Sequence, residues 1–167
     1  MRKLVIWAAG LFLMAQCMNA ASAASFNEYP VKRWSGKTVK PDFKGAQKDF
    51  SRHRTRITED GVKKRPDFAG SWTVVQYGCG SSCSVTVLFD HKTGNILRVP
   101  IGGEDQQNVF LYHNVNSRLL KVTWFDGVWF DENSACMIGE FVLDGNKLVQ
   151  ISTKKHTPRD DCKSGPN

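Results

Sequence analysis

Beyond Pro66 the apolar positions of the chain fall in short runs dense in β-branched and aromatic residues, each closed by turn formers. Ser71-Trp72-Thr73-Val74-Val75-Gln76-Tyr77 and Ser84-Val85-Thr86-Val87-Leu88-Phe89 predict two adjacent strands, with Gly78 to Cys83 as the connecting loop. Asp90 to Asn95 is turn-rich, and Ile96 to Ile101 returns as a third strand whose end is marked by Pro100. Further strands are predicted at Val109 to Tyr112, Leu119 to Phe125, Val128 to Phe130, Met137 to Leu143 and Lys147 to Thr153. Asp126-Gly127 and Asp144-Gly145-Asn146 supply turns between them. With no helical period between these runs, the pattern predicts a mainly β fold: an antiparallel meander forming a small sandwich or half-barrel.

The segment before Pro66 reads differently. Residues 25–44 carry Pro30, Gly36 and Pro41, few aliphatics and no sustained period, and predict an irregular basic arm. The following stretch, Gly45 to Asp60, is read as a short helix over Ala46 to Arg52 followed by a strand through Arg54-Thr55-Arg56-Ile57. Residues 45–167 then make up one β-rich domain.

The first residues have the order of a secretory signal: Met1-Arg2-Lys3, an apolar run from Leu4 to about Met18, then small residues to Ala24. The triplets Ala21-Ser22-Ala23 and Ser22-Ala23-Ala24 place cleavage after Ala23 or Ala24, so residues 1–24 are read as a signal peptide. The apolar run is shorter than the roughly 18 residues a spanning helix needs, and no transmembrane anchor is expected. Lipidation at Cys17 is disfavoured because Gln16 stands where processing wants a small side chain. The implied address is periplasmic or secreted.

Once Cys17 is removed, Cys79, Cys83, Cys136 and Cys162 remain, an even number in an oxidising compartment, and a two-disulfide framework follows. Cys79–Cys83 with Cys136–Cys162 is the preferred pairing; the two crossed connectivities stay open. A bridge over so short a span as Cys79 to Cys83 needs a tight turn, which flexible glycines permit. It shapes a loop more than it stabilises a fold, being worth ~2 kcal/mol against ~3.5 for the span from Cys136 to Cys162. Redox chemistry is disfavoured, since three residues rather than two separate the cysteines and the flanks are strands. Zinc is disfavoured too, since no second close-spaced ligand pair accompanies the loop.

The chain carries a net charge of +7. Its basic part runs from Ser25 to Gly70, through Lys32, Arg33, Lys37, Lys40, Lys44, Lys48, Arg52, Arg54, Arg56, Lys63, Lys64 and Arg65. Outside the cytoplasm this charge points away from nucleic acid and towards headgroups, lipopolysaccharide, wall polymers or an acidic protein. A solvated basic face is the plainer reading.

No catalytic constellation is evident. His53, His91, His113 and His156 are scattered, none beside a serine or cysteine in a nucleophile motif. Glu104-Asp105, Asp131-Glu132 and Asp160-Asp161 lie in loop-like contexts. Trp124-Phe125-Asp126-Gly127-Val128-Trp129-Phe130 puts four rings around a turn, and alternation forbids Trp124 and Phe125 from entering one core. One side of that ribbon needs other cover, either the N-terminal arm or, as an exposed aromatic patch, a partner or a sugar.

Taken in order, Pro66-Asp67-Phe68-Ala69-Gly70-Ser71-Trp72, Gly78 to Cys83, Asp90-His91-Lys92-Thr93-Gly94 and Asn116-Ser117-Arg118-Leu119-Leu120 resemble a group of small secreted bacterial proteins. That group carries an asparagine-phenylalanine-alanine-glycine segment, a tryptophan-glycine-cysteine-glycine loop and an aspartate-to-threonine-glycine turn. Asp67 and Tyr77 depart from it. The resemblance, over about Phe50 to Val122, implies a periplasmic address and carries no catalytic residues with it.

The expected function is a non-enzymatic periplasmic binding or inhibitory protein of the immunity or lysozyme- or amidase-inhibitor kind, with no cofactor and no metal. Its expected recognition residues are Cys79, Gly80, Ser81, Ser82 and Cys83, with Arg98, Arg118, Trp124 and Trp129, and its expected partner is an extracytoplasmic protein or envelope polymer. The alternatives are an envelope enzyme assembled from distant residues such as His113, Asp126 and His156, and an envelope structural component.

Overall fold

The structure, a computed structural model, describes residues 23–128, 130–156 and 162. The expected signal segment through residue 22, with Cys17, and the expected recognition residue Trp129 lie outside the described residues.

Among the described residues seven strands form two antiparallel sheets, the mainly β class that the alternation predicts. Sheet I contains β1 (Trp72–Gly80), β2 (Cys83–Asp90) and β3 (Ile96–Arg98) in that order; sheet II contains β4 (Gln106–His113), β5 (Leu119–Asp126), β6 (Ala135–Asp144) and β7 (Lys147–Lys155). Every neighbour in each sheet is also a neighbour in sequence, so the chain is a meander. Alternate residues of facing strands meet between the sheets: Trp72 and Leu88 from sheet I, with Leu120, Val122, Trp124, Phe141 and Leu143 from sheet II, make the main core. Full burial of a side chain such as Leu88 or Phe141 stabilises by about 2 to 3 kcal/mol.

The other face of sheet I is covered by the segment after the basic arm. Here the expected strand over Arg54 to Ile57 is corrected to helix: 3₁₀ turns over Lys48–His53 lead into α1 (Arg54–Ile57) and a wider helical turn over Thr58–Val62. Phe50, Ile57 and Gly61 recur at helical spacing and face Val75, Val87 and Phe89. At Gly61 the backbone passes so close that an added Cβ would stand 3.0 Å from Val75 Cγ2. The charges of this segment lie on its outer side as i,i+4 pairs, Arg56–Asp60, Glu59–Lys63 and Lys64–Asp60. Being exposed and screened by solvent, such pairs add little to stability.

The basic arm is irregular, as expected, yet it is strapped down along its length. Val31 N donates to Asn116 O, Trp34 N to Gly70 O and Val39 N to His91 O, at 2.9, 3.2 and 2.9 Å. Gly70 (φ +79°) allows the arm to pass, since a Cβ there would lie 2.5 Å from Lys32 O. It is a docked layer and not a tail.

Of the expected strand at Val128 to Phe130, Val128 and Phe130 are described and neither is in a strand: Phe130 lies in a turn, and β5 pairs with β6. Gly127 turns the chain with φ +101° and donates to Asp105 O, while Ser134 Oγ donates to Val128 O, closing a loop. The aromatic ribbon thus divides within β5. Trp124 enters the inter-sheet core, and Phe125 faces the opposite way, against the buried Cys136–Cys162 disulfide. That disulfide, and not the N-terminal arm, covers Phe125.

Candidate functional site

Cys79 and Cys83 are bonded, with Cα atoms 5.1 Å apart, at the tip of the β1–β2 hairpin. Cys83 is buried, whereas Cys79, Gly80 and Ser81 are exposed and Ser82 is half-buried. The loop is held from a second side: Ser82 O accepts from Asn108 N at 3.0 Å. Both residues of that contact have positive φ, +59° at Ser82 and +50° at Asn108. A non-glycine residue in this region costs of order 1 kcal/mol and persists only where its surroundings enforce it. Disulfide and cross-sheet bond together supply that enforcement.

Arg98 belongs to the same part of the molecule. The β2–β3 register sets it beside Val87, on the face of sheet I that also carries Tyr77 and Val85. A cleft of about 290 Å³ opens there, lined by Asp49, Phe50, His53, Tyr77, Val85, Val87 and Arg98. The His53 ring stacks on Tyr77 with centroids 4.6 Å apart. Partial burial raises the Tyr77 hydroxyl above its ordinary pKa, an effect opposed by the Arg98 charge, so the phenol stays protonated as a hydrogen-bond donor at neutral pH. Tyr77 stands two residues before Cys79, so an aromatic ring, a guanidinium and a rigid loop share one region. Sequence reading missed His53, Tyr77 and Asp49 in this role; the signal available was Tyr77 itself, which stands where the resemblance expects tryptophan.

Two expected recognition residues lie elsewhere. Arg118 precedes β5, at the end of the molecule opposite the cysteine loop, where its guanidinium donates to Leu143 O at 3.2 Å and its backbone N–H to Tyr29 O at 2.8 Å. Strands of this length separate the two ends by roughly 20 to 25 Å. Trp124 is 4% exposed, because its position in β5 points it between the sheets. Trp124 is thus a core residue, while Arg118 is half-buried at the far end.

The trio His113, Asp126 and His156 does not assemble. His113 pairs with Leu120 and Asp126 with Gln106, placing them at opposite ends of the β4–β5 ladder, roughly 20 Å apart. His113 Nδ1 lies 3.1 Å from Asp67 O. Among the described residues no three His, Cys, Asp or Glu side chains are grouped to hold a metal ion.

At the end opposite the cysteine loop a second cleft, about 400 Å³, lies between the arm and the sheets, lined in part by Arg33, Trp34, Lys64, Arg65 and His91. His91 is 1% exposed. Its Nε2 is 2.8 Å from Thr73 Oγ1, which itself donates to Arg65 O, and its Nδ1 is 3.0 Å from Thr38 Oγ1. Thr73 has one hydroxyl hydrogen and spends it on Arg65 O, so Nε2 carries the imidazole proton and Thr38 donates to Nδ1. The neutral ring ties arm, β1 and turn together. Beside it Asp90 accepts from Ser71 Oγ and Thr93 Oγ1, both at 2.6 Å, which explains the Asp90-to-Gly94 motif as a turn lock.

Burial lowers the His91 pKa below its ordinary 6.5, outweighing the Asp90 and Asp67 charges. The unfolded chain therefore takes up this proton at higher pH than the folded one. The His91 contribution to stability is complete above about pH 6.5 and is lost as pH falls through 6.5 towards the folded-state value. Urea unfolding at pH 7.5 and 5.5 should show the protein weaker at the lower pH, and His91→Gln should reduce that difference. An unchanged pH dependence in the variant would exclude His91 as its source.

No family model, curated protein or solved structure matches the chain. The fold itself defines the class: among the described residues, a mainly β protein of two antiparallel sheets, of three and four strands, without barrel closure and with two disulfides. Among the described residues no helix is long and apolar enough to cross a membrane. The disulfides are compatible with a secreted or periplasmic protein.

Proposed function

We propose that the protein is exported with removal of its N-terminal signal and acts as a non-enzymatic binding or inhibitory protein, presenting the Cys79–Cys83 loop to an extracytoplasmic protein. The observation that carries this reading is the loop itself: exposed at Cys79, Gly80 and Ser81, yet pinned by a disulfide and by Asn108, with two backbone positions held in a left-handed conformation. A pre-shaped loop loses little conformational freedom on binding, which favours affinity. Tyr77, two residues before Cys79, shares a cleft on sheet I with Arg98, and both are residue types common at binding hot spots.

Replacing Cys79 and Cys83 by serine should cost no more than ~2 kcal/mol of stability, because so short a loop removes little chain entropy. Retention of the partner from envelope extract by the immobilised mature protein should fall at least tenfold. Arg98→Ala should weaken the same retention without affecting the fold. A loop variant that unfolds at room temperature while binding normally makes the bridge a staple and ends the recognition reading.

A second reading is favoured by the opposite cleft, which Arg33, Lys64 and Arg65 line together with Trp34. Three cations and an aromatic ring in one cleft suit an anionic envelope polymer. Retention on such a polymer should weaken with salt and with Arg33→Ala/Lys64→Ala/Arg65→Ala, and be indifferent to the cysteine loop. The two sets of substitutions therefore separate the two readings.

A further inference from the structure

The outer face of sheet II holds a buried ion pair that neither reading uses. Lys121 on β5 and Glu140 on β6 are direct cross-strand partners, 6% and 3% exposed, with Nζ 3.7 Å from Oε1. Two buried charges are costly to desolvate unless their remaining hydrogen-bonding positions are filled. Glu140 is well supplied: Oε2 accepts from Ser152 Oγ at 2.6 Å, and Oε1 accepts from the backbone nitrogen of Ala24 at 3.1 Å.

The position of that nitrogen is the point. Ala24 is buried, with Leu119 and Val142 as its packing partners and Phe26 and Tyr29 alongside. From this residue onward the chain is fastened: Ser25 N donates to Glu28 Oε2 at 2.7 Å in a capping box, Arg118 N donates to Tyr29 O, and Pro30 bridges to Ser117. Ala24 is also the first residue after the triplet Ala21-Ser22-Ala23.

We infer that export cleavage falls between Ala23 and Ala24, and that the α-ammonium group so created docks on Glu140, completing a buried cluster with Lys121 that fastens the mature N-terminus to sheet II. Hydrolysis of the Ala23–Ala24 bond by a signal peptidase consumes one water, leaves a carboxylate on Ala23 and frees an amine on Ala24, which takes up a proton. Cleavage precedes folding, so the later burial of Ala24 does not obstruct it. The backbone N–H that reaches the Glu140 carboxylate becomes part of a group with three donors and a positive charge, so that both partners of the bond are ionised. Within the buried cluster Glu140 faces both Lys121 and the ammonium, while Glu28, bonded to Ser25 N, lies exposed. Cleavage one residue later would remove Ala24 and leave Glu140 Oε1 with Lys121 alone.

The inference rests on the export reading, and one measurement separates their failures. Sequencing the mature protein from the periplasm should begin at Ala24. A start at Met1 overturns export and this inference together, whereas a start at Ser25 overturns this inference only. Two mature chains, one starting at Ala24 and one retaining Ala23, should differ roughly tenfold or more in folding equilibrium constant in favour of Ala24. In a Glu140→Gln background that ratio should fall towards one. Equal stability of the two chains, or an undiminished ratio with Glu140→Gln, overturns the docking. If Glu140→Gln does not fold, amine acetylation of the unsubstituted protein decides: the Ala24 amine should react at least about tenfold more slowly in the native state than in urea, and equal rates overturn the proposal.

Discussion

Replacing Cys136 and Cys162 together by alanine is expected to lower the unfolding free energy by about 4 kcal/mol. The bridge closes a span of 26 residues, worth ~3.5 kcal/mol in the chain-entropy model, and both cysteines are fully buried against Phe125, so truncation adds a packing loss of roughly 1 kcal/mol. Cys162 also brings its carbonyl to Thr123 Oγ1 at 3.0 Å, a bond that a released C-terminal segment gives up, leaving a buried hydroxyl on β5. A domain of this size has about 5 to 15 kcal/mol in total, so the midpoint of thermal unfolding should fall by roughly 10 to 15 °C. Denaturation of the oxidised protein and the double variant measures it. A loss under about 1 kcal/mol would show that Phe125 is covered without the bridge.

The same comparison separates the two disulfides by purpose. At the hairpin tip the bridge spans 4 residues and Cys79 is exposed, so its removal takes away little entropy and little packing. Both bonds have the connectivity preferred from spacing, but spacing alone did not show that one lies under Phe125 and the other at the protein surface. Burial assigns them different work.

What could be read from sequence follows the range of the forces involved. Alternation and turn residues are local, and they located the strands: Asp144-Gly145-Asn146 joins β6 to β7, and Asp90 to Gly94 forms the turn after β2. Arg54 to Ile57 misled because four residues alternating in polarity fit a strand as well as a helix. Only the longer spacing through Phe50, Ile57 and Gly61 separates the two, once sheet I is there to receive that face. Val128 to Phe130 misled through β propensity, where the loop closed by Ser134 and Gly127 prevails. The site is the least local feature. Arg98 meets Tyr77 and His53 only through the β2–β3 register and the docking of the helical segment, and Arg118 is carried to the far end by one strand length.

Phe141→Ala is expected to cost about 3 to 5 kcal/mol, through a mechanism that a neighbouring glycine makes testable. Phe141 is 1% exposed at the centre of the inter-sheet core, and truncating it removes a ring whose space the two sheets cannot close without moving apart. Gly139, two residues earlier on the same face of β6, is the complement of that ring. A Cβ added there would stand 2.9 Å from Phe141 Cε2 and 2.9 Å from Trp124 Cζ3, both in buried rings that cannot swing into solvent. Gly139→Ala should therefore destabilise by about 1 to 3 kcal/mol through overpacking, despite alanine's lower backbone entropy cost in a strand. The two losses should not add. With the Phe141 ring gone, the new methyl clashes only with Trp124 and fills part of the cavity, so the double variant should recover about 1 kcal/mol or more relative to the sum. Urea unfolding of the four proteins closes this cycle. Strict additivity would mean that Gly139 and Phe141 do not share one packing site, and that the inter-sheet core yields at this position instead of transmitting the strain.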